Sequence, residues 1–561
     1  MAEFEPTTAA EPGASGGVVL ARALRAQGVD TVFGLPGGHV LGFFDACLDE
    51  GIRVIDVRHE GAASLAAEGW ALAAGRPGVA VVTAGPGFGN AMTGLMDAGL
   101  GGVPMVLVAG RTGIDRQGRG AVMDLDQRAI ATPATKWAAS CHETARIGEY
   151  AARALREAAS GRPGSVYLEI PQDVFMASTP AAAPHEAAPA ARSRPDAESV
   201  GRAAGALARA ERPITIAGSG AFFSGAGGAL ASFARAARVP VTTTSAARGL
   251  LPDADDWCLG SMVHAGIAVA RADVVLVVGS AFNANLLYGR PPLFGENQTL
   301  IQVDVDEGRI DPRSIALAGD AAAALEALAA SAREPAAGRE AWREEARALV
   351  RFARAAWDHQ VDSHAGARIH AGAAARELAA FARETGPHTI VADGGDCLSW
   401  MLAYADAEGP GRLLTTTTAL GTLGVGMPFA NAAAAARPGE PVYVFIGDGT
   451  FGLCAMEVDT AVRHGLPVIV VVSNNAAWAD VTHEQDAWFG PGRHIASELG
   501  DSRYELIADA FGAHGEVVED LDELRPALKR SLDAGAAVIN LRTDPGVLSD
   551  LLRNMGSLRL M

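Results

Sequence analysis

The sequence predicts an α/β fold made of three Rossmann-like domains, each built on a parallel β-sheet. Short apolar segments typical of buried strands alternate with alanine-rich helical segments along nearly the whole chain, and this alternation is typical of parallel sheets covered by helices. A chain of 561 residues is too long for one hydrophobic core, so several domains are expected. A stretch rich in Pro and Ala at 178–196 predicts a linker after the first domain.

Changes in composition set the other predicted boundaries. The leader at 1–16 is acidic and rich in small residues, lacks the features of a signal peptide, and is expected to be disordered. The first domain is expected at 17–177, the central domain at 197–365 and the last domain at 366–547. The tail at 548–561 is expected either to fold over the functional site or to form a surface helix.

Charge and cysteine content exclude several classes of protein. The chain has 46 Lys and Arg against 65 Asp and Glu, a net charge of −19, which argues against nucleic-acid binding because phosphate contacts need clustered basic residues. No apolar run has the length of a membrane span. The five cysteines are scattered without metal or disulfide spacing, so we expect a cytoplasmic protein.

The most specific motif lies in the last domain. Gly447–Thr450 follows the apolar strand at 442–446, and after a helix expected at 455–464 the next strand ends at Asn474-Asn475. One strand-helix-strand unit places Asp448 and an asparagine 27 residues later at the carboxyl ends of parallel strands, where α/β sheets bind ligands. Carboxylate, amide and carbonyl oxygens at that edge suit Mg²⁺ bound to a diphosphate.

This motif resembles the Mg²⁺-diphosphate motif of thiamine diphosphate enzymes. The resemblance implies that Asp448 and Asn475 bind Mg²⁺ through side-chain oxygens and that Ala477 does so through its backbone carbonyl. The alternative is an aspartate at a strand-end turn followed by two turn asparagines. The resemblance places the diphosphate against Gly447, Gly449 and Thr450, with the following helix offering N–H groups to the anion.

A partner motif lies in the first domain. Arg58-His59-Glu60 precedes an alanine-rich helix, and a glycine-rich loop at 84–90 follows the next strand. Both resemble motifs of the acetohydroxyacid synthase group, in which the glutamate hydrogen-bonds the aminopyrimidine ring of the cofactor. A lone glutamate at a helix start is otherwise a partner of the helix dipole. The loop residues implied at the cofactor are Gly85, Pro86, Gly87 and Asn90.

Further segments fall where this family contacts the cofactor. Acetohydroxyacid synthases have a Gly-Gln-His segment that contacts the diphosphate, and the corresponding residues here are Gly395, Asp396 and Cys397. Because a carboxylate and a phosphate repel each other, we expect Asp396 to contact the diphosphate through its backbone N–H. Leu423 stands where the family uses a bulky apolar residue to hold the cofactor bent, or is a core leucine. The resemblance thus makes the first domain pyrimidine-binding and the last domain diphosphate-binding.

Candidate residues at the reacting end also follow from the resemblance. Glu60 is implied to activate the cofactor, and His39, in a loop that faces the thiazolium, is a natural proton shuttle or a structural loop histidine. Gln127 resembles the glutamine of an Asp-Gln pair in oxalyl-CoA decarboxylases and 2-hydroxyacyl-CoA lyases. The substrate pocket is implied to include Gly38, Phe88, Trp478 and Asp480.

The whole chain after the leader resembles the acetolactate synthase, 2-hydroxyacyl-CoA lyase and oxalyl-CoA decarboxylase family. This implies a thiamine diphosphate- and Mg²⁺-dependent lyase or ligase that acts on a 2-keto acid or 2-hydroxyacyl-CoA through a carbanion or enamine, with an aldehyde as a further acceptor. Ala281 and Glu484 replace an arginine and a tryptophan of acetolactate synthases, which favours the 2-hydroxyacyl-CoA lyase branch. Arg248 and Arg290 would bind CoA or lie at the surface.

Two alternatives accompany this interpretation. An acetolactate synthase-type decarboxylase and carboligase is one, and a catalytically silent scaffold subunit is another. The family also admits FAD, but Gly218-Ser219-Gly220 lacks the third glycine of the dinucleotide fingerprint and predicts a tight turn. The resemblance implies that the cofactor joins the first domain of one subunit to the last domain of another, hence a homodimer or homotetramer.

Overall fold

The computed structural model describes residues 13–180, 191–416 and 419–557, with side chains described to residue 553 in the last range. Two compact units are present: one holds the described residues up to 68 and those at 77–180, and the other holds residues 69–76 and the described residues from 191 onward. Most of the predicted leader, the middle of the predicted linker and the last four residues of the predicted tail lie outside the described residues.

The first unit is built on one six-stranded sheet in which every neighbouring pair is parallel. In spatial order the strands are Arg53–Asp56, Thr31–Leu35, Gly78–Val82, Met105–Arg111, Ser165–Pro171 and Trp137–Ser140. The helices of this unit are Gly16–Ala26, Leu41–Glu50, Glu60–Ala74, Pro86–Gly101, Gln127–Ala131, Ile147–Ala159 and Gln172–Met176. Its central strands are buried on both faces, as expected for a parallel sheet between helices.

The ends of the first domain differ from the prediction. Ala14–Ser15, which was expected in the disordered leader, pairs antiparallel with Ser178–Thr179, which was expected in the linker. The first helix also begins at Gly16 rather than after the leader. The Ser15 hydroxyl accepts a hydrogen bond from the Val18 amide, which is the usual N-cap contact of a serine. The leader therefore ends before this short sheet.

The second unit contains two six-stranded parallel sheets. In spatial order the first sheet has the strands Cys258–Ser261, Val241–Thr243, Pro213–Ala217, Val274–Val278, Thr299–Asp304 and Ile315–Ala318. The helices around it are Ala197–Arg209, Ser219–Phe223, Gly227–Ala237, Met262–Arg271, Ala321–Ala330 and Arg339–Asp362. The sequence patterns did not predict the two edge strands, which are only four residues long.

The second sheet of this unit carries the most specific sequence motif. In spatial order its strands are Leu413–Thr415, Thr389–Asp393, Val442–Gly447, Val468–Asn474, Ala537–Arg542 and His514–Val518. Its helices are Ala371–Glu384, Gly395–Tyr404, Gly426–Ala436, Asp448–Cys454, Glu457–Arg463, Ala479–Phe489, Glu505–Phe511, Leu521–Ala534 and Asp550–Ser557. The helix expected at 455–464 is confirmed as Glu457–Arg463, and a further short helix, which the sequence did not predict, begins immediately at Asp448.

The α/β fold class with three parallel-sheet domains is confirmed. None of the helices in the described ranges is long and apolar enough to cross a membrane. All five cysteines are buried and unpaired, which agrees with the absence of disulfide spacing in the sequence.

Candidate functional site

Three neighbouring strands of the last sheet end at the same edge. Asp393 pairs with Ile446, and Gly447 pairs with Ser473, so the segments that follow these strands start side by side. These segments begin with Gly394-Gly395, with Asp448-Gly449 and with the asparagine pair at 474–475. The carboxyl edge of a parallel sheet is where such folds bind ligands, and here the register alone brings the three motifs together.

Asp448 has an unused oxygen at this edge. Its side chain is 2% exposed; Oδ1 accepts a hydrogen bond of 2.9 Å from the Gly449 amide, while the buried Oδ2 has no hydrogen-bond partner among the residues described. Burial raises the pKa of Asp448 to about 6, against the opposing effect of nearby backbone amides. Because a buried carboxylate oxygen without a partner is costly, this atom points to a ligand.

The two asparagines have different contacts. Asn474 is buried, donates to Asn540 Oδ1 and Ser502 O, and accepts from the Ala476 amide, so its side chain orients the loop. Asn475 is half-buried, and its side-chain Oδ1 accepts a 3.2 Å hydrogen bond from the Ala477 amide. Ala476 has a φ of 63°, a strained backbone for a residue with a Cβ that is typical of functional loops.

The donor set fits a magnesium diphosphate. Within the described ranges, no three His, Cys, Asp or Glu side chains are grouped to hold a metal by themselves. A metal at this edge would therefore need the amide oxygen of Asn475 and the carbonyl of Ala477 beside Asp448. This combination of one carboxylate and neutral oxygens leaves positions for phosphate and water, as Mg²⁺ prefers.

The helix Gly395–Tyr404 begins beside this edge and has no side-chain cap at Gly394 among the described contacts. The Asp396 carboxylate accepts hydrogen bonds from Trp400 Nε1 at 2.6 Å and from the Ser549 amide at 2.8 Å. It is therefore held within the protein, which leaves its backbone N–H for an anion. The contact with Ser549 also brings the start of the predicted tail against this helix.

Trp478 and Thr450 lie against glycines of these loops. A Cβ on Gly449 would lie 2.7 Å from Cε3 of Trp478, so the indole ring packs directly on the Gly449 backbone. A Cβ on Gly394 would lie 3.2 Å from Thr450 Oγ1, which shows how closely the two loops approach. Trp478 is half-buried rather than part of a core.

Leu423 lies in the loop that precedes the helix Gly426–Ala436, and its side chain is 40% exposed. It is therefore not a core leucine. The sequence analysis did not select Asp393 as a site residue, but Asp393 Oδ2 accepts a 2.7 Å hydrogen bond from the Gly426 amide and anchors the end of the Leu423 loop. An aspartate at the end of a buried strand, followed by two glycines, was the available signal.

In the first unit, Glu60 is the first residue of the helix Glu60–Ala74 and is 8% exposed. Its Oε2 accepts a 2.9 Å hydrogen bond from Asn90 Nδ2, and a Cβ on Gly87 would lie 3.6 Å from Oε1. The glutamate and the glycine-rich loop, which are separated in the sequence, are thus in contact. The contact makes Asn90 a residue that orients Glu60.

Comparisons with known proteins agree with these features. Three family models match: "Thiamine pyrophosphate enzyme, N-terminal TPP binding domain" at 14–130, "central domain" at 200–328 and "C-terminal TPP binding domain" at 393–541. A probable acetolactate synthase of Mycobacterium bovis is 36% identical over 543 residues, covering 95% of this chain and 96% of the relative. The chain belongs to the thiamine pyrophosphate enzyme family.

Other relatives of this thiamine pyrophosphate enzyme carry different names. A 2-hydroxyacyl-CoA lyase of Oryza sativa is 31% identical over 578 residues, covering 96% of this chain and 97% of the relative. An oxalyl-CoA decarboxylase of Escherichia coli is 31% identical over 551 residues, covering 94% of each. The family and its domains establish a thiamine diphosphate-dependent enzyme.

His39 of the enzyme is half-buried in the first unit, where Nδ1 lies 3.1 Å from Thr83 Oγ1. Burial, together with the charge of Arg116, lowers its pKa. The imidazole is thus mainly neutral at neutral pH and keeps Nε2 for other contacts. The neighbouring Gly38 is exposed.

The catalytic assignment of Gln127 stays a prediction, and the structure shows how its side chain is held. Its side chain is fully buried; Oε1 accepts from the Gly85 amide at 2.8 Å, while Nε2 donates to Gly110 O and Tyr167 Oη. Both amide hydrogens are therefore engaged by the protein. Gln127 therefore positions the Gly85 turn, whose φ of 61° requires glycine.

The assignment of Phe88 to the substrate pocket stays a prediction, and the structure shows this side chain packed inside the first unit. Phe88 is 1% exposed, and its ring centroid lies 5.1 Å from that of Tyr167. The residue lies in the helix Pro86–Gly101, and its side chain points into the core of the first unit while the exposed Pro86 begins the same helix. Helical geometry, rather than loop geometry, sets this direction.

Arg248 is neither a surface arginine nor free to bind CoA. It is 3% exposed, pairs with both carboxylate oxygens of Asp253, and donates to the Ala405 carbonyl at 3.3 Å. Arg290, in contrast, is exposed. Ala281 follows the turn at Gly279, which ends the strand Val274–Val278.

The glycines of the central sheet pack on one another. The Gly218 amide donates to the Val278 carbonyl and the Gly220 amide to the Gly279 carbonyl, and a Cβ on Gly220 would lie 2.9 Å from the Cα of Gly279. Close approach of two backbones thus explains these glycines, as the tight-turn interpretation expects. They need no dinucleotide to account for them.

Proposed function

We propose that this thiamine diphosphate-dependent enzyme requires Mg²⁺ and makes or breaks a C–C bond next to a carbonyl group. Its donor is a 2-hydroxyacyl-CoA or a 2-keto acid, and an aldehyde can serve as acceptor. The observation that carries the proposal is the unpartnered, buried Oδ2 of Asp448 beside Asn475 at the carboxyl edge of the last sheet. An oxygen-lined edge of this kind favours a magnesium diphosphate over a purely structural turn.

The chain's own residues would have distinct tasks. The metal would be held by Asp448, Asn475 and Ala477. The diphosphate would be bound by the backbone around Gly395, Asp396, Cys397, Gly447 and Gly449. Thiamine diphosphate, when bound, supplies the electron sink that stabilises negative charge on the carbonyl carbon of the substrate. Leu423 and Trp478 then limit the space left for the cofactor and substrate.

Glu60 would hold or release the proton at the aminopyrimidine ring. Its burial and the hydrogen bond from Asn90 fix one carboxylate oxygen, while Oε1 lies toward Gly87. His39 would carry protons at the reacting end because neutral imidazole can both accept and donate one. Intact Glu60, Asp448 and Asn475 argue against the catalytically silent scaffold.

The choice of donor rests on finer observations. Ala281 stands where acetolactate synthases were expected to use an arginine, which supports the 2-hydroxyacyl-CoA lyase branch. The burial of Arg248 removes one of the two arginines suggested for CoA, so Arg290 is left for that task. Acetolactate synthase activity is the second candidate, favoured by the 36% identity to the M. bovis relative over 95% of the chain.

A substrate screen tests the proposal. Protein reconstituted with thiamine diphosphate and Mg²⁺ is offered pyruvate, other 2-keto acids, oxalyl-CoA and 2-hydroxyacyl-CoAs, with and without an aldehyde. We expect cleavage of a 2-hydroxyacyl-CoA that Glu60→Gln abolishes and Glu143→Gln, a change at an exposed glutamate, leaves intact. Acetolactate from pyruvate alone would select the second candidate.

Metal and assembly have separate tests. Removal of Mg²⁺ with a chelator should release thiamine diphosphate, and Asp448→Asn should weaken retention of both; full retention by the variant would contradict the metal assignment. Sedimentation velocity should show a homodimer or homotetramer. A monomer that remains fully active would contradict this oligomeric assignment.

A further inference from the structure

The Asp480 carboxylate lies directly over the start of the helix Gly395–Tyr404. A Cβ placed on Gly395 would be 1.6 Å from Oδ2 and 2.8 Å from Cγ of Asp480, so only glycine permits this approach. Asp480 is in the first turn of the helix Ala479–Phe489, and its buried Oδ1 has no hydrogen-bond partner in the described part of the chain. An acidic side chain therefore stands where the helix start would otherwise meet an anion.

Other titratable groups surround Asp480. Besides burial, the pKa of Asp480 is raised by the negative charges of Asp396, on the neighbouring helix, and of Glu484, on its own helix. Burial raises the pKa of Asp396, and the charge of His483 acts to lower it. Burial and the charges of Asp396 and Asp480 all raise the pKa of the Cys397 thiol. Burial is the largest effect and, with the two acidic neighbours, raises the pKa of Asp480 to about 7.

An independent feature places a ligand at the same edge. Oδ2 of Asp448, on the neighbouring strand end, is buried and unpartnered within the described residues. The two loops touch, since a Cβ on Gly394 would lie 3.2 Å from Thr450 Oγ1 and 3.4 Å from the Gly447 amide nitrogen. An anion bound at these loops would be a close neighbour of the Asp480 carboxyl.

We propose that Asp480 is a positioning residue that contacts the diphosphate in its protonated form, so that cofactor binding takes up a proton at this carboxyl. The carboxylate gains one proton from solvent, and the resulting O–H donates to a phosphate oxygen, with no other bond made or broken. A carboxylate there would instead repel the diphosphate. This inference rests on the proposed function, because it uses the same diphosphate site.

Whether the protein takes up or releases a proton when the cofactor binds distinguishes this role from movement of Asp480 out of the site. At about pH 8 a carboxyl with a pKa of about 7 is mostly ionised before binding. A neighbouring diphosphate disfavours the carboxylate, so binding takes up a proton. If Asp480 instead moved into solvent, its pKa would fall to the ordinary value and any remaining proton would be released.

Isothermal titration calorimetry can measure this exchange without any turnover. Thiamine diphosphate is titrated into Mg²⁺-saturated protein at about pH 8 in buffers of different ionisation enthalpy, and the slope gives the protons taken up per site. The variant Asp480→Asn keeps a hydrogen-bond donor but cannot titrate. The matched control is Asp533→Asn, at an exposed position of the helix Leu521–Ala534.

We expect wild type and Asp533→Asn to take up close to one proton more than Asp480→Asn. Above pH 7, the Kd of wild type should rise by up to about tenfold per pH unit relative to that of Asp480→Asn. Equal proton numbers, or net release by wild type relative to the variant, would overturn the inference. If Asp480→Asn does not fold, Asp480→Ser serves the same comparison; if wild type itself binds no thiamine diphosphate, the proposed function fails instead.

Discussion

Gly449→Ala is the sharpest structural test of the last-domain site. The new Cβ would lie 2.7 Å from Cε3 of Trp478 and 2.8 Å from Cδ2 and Cζ3. Ordinary contacts of a Cβ begin near 3.4 Å, so the indole ring must retreat by roughly 0.7 Å or rotate away. The helix Asp448–Cys454 already holds Gly449 in a helical conformation, so backbone strain does not enter.

The magnitude follows from two opposing effects. Overpacking of this kind costs about 1–3 kcal/mol, and replacement of a helical glycine by alanine returns about 0.5–1 kcal/mol. The net cost of about 1–2 kcal/mol corresponds to a factor of about 5–30 in an equilibrium constant. We expect it to appear as weaker binding of thiamine diphosphate, because Trp478 follows the loop proposed to hold the metal.

Gly452→Ala is the matched control. It lies in the same helix, is exposed, and has nothing within 4 Å of an added Cβ, so it gains helix propensity without a clash. Affinity is measured by calorimetry with Mg²⁺ present. The double variant Gly449→Ala with Trp478→Ala should recover part of the loss. Equal affinities for Gly449→Ala and Gly452→Ala would refute the packing argument.

Three further predictions concern other parts of the enzyme. Asn90→Ala removes the hydrogen bond to Glu60 and should lower kcat about tenfold with little change in cofactor affinity; an unchanged kcat would remove Asn90 from the orienting role. Burial, with the charge and hydrogen bond of Asp97, raises the pKa of Glu68 well above its usual value, so the folded state holds an extra proton and stability should fall as pH rises above the ordinary pKa of a glutamate; in urea unfolding, Glu68→Gln should reduce that dependence, and identical profiles would contradict it. The buried Arg339 guanidinium donates to three carbonyls at the ends of two helices, so Arg339→Met should destabilise the protein by about 1–3 kcal/mol, because buried acceptors lose their donor, and an unchanged thermal midpoint would argue against this.

The sequence alone predicted those parts of the site that are formed by residues close together in the chain. The Gly447–Thr450 motif and the asparagine pair indicated a shared edge because strand-helix-strand units have a fixed direction, and the register brings them together. The resemblance placed Glu60 and the loop residue Asn90 at the cofactor, and the structure adds the hydrogen bond between them.

Side-chain direction could not be predicted from the sequence. Phe88, within the glycine-rich loop, and Gln127, which contacts that loop, both have side chains that turn inward. Arg248 was expected near solvent because arginine usually is, yet it is buried and forms an ion pair with Asp253. Local pattern does not encode such choices, since each depends on partners far along the chain.

By itself, the sequence determined the α/β class and the strand-end motifs, because hydrophobic periodicity and short motif spacing are local properties. The cofactor followed from the family that these motifs resemble. Only the tertiary structure decided which polar atoms are left without partners and which acids face one another. Asp480 and Gly395 are 85 positions apart, and their contact exists because two helices meet at one sheet edge. Burial and charge repulsion, which set the pKa of Asp480, arise only after that packing.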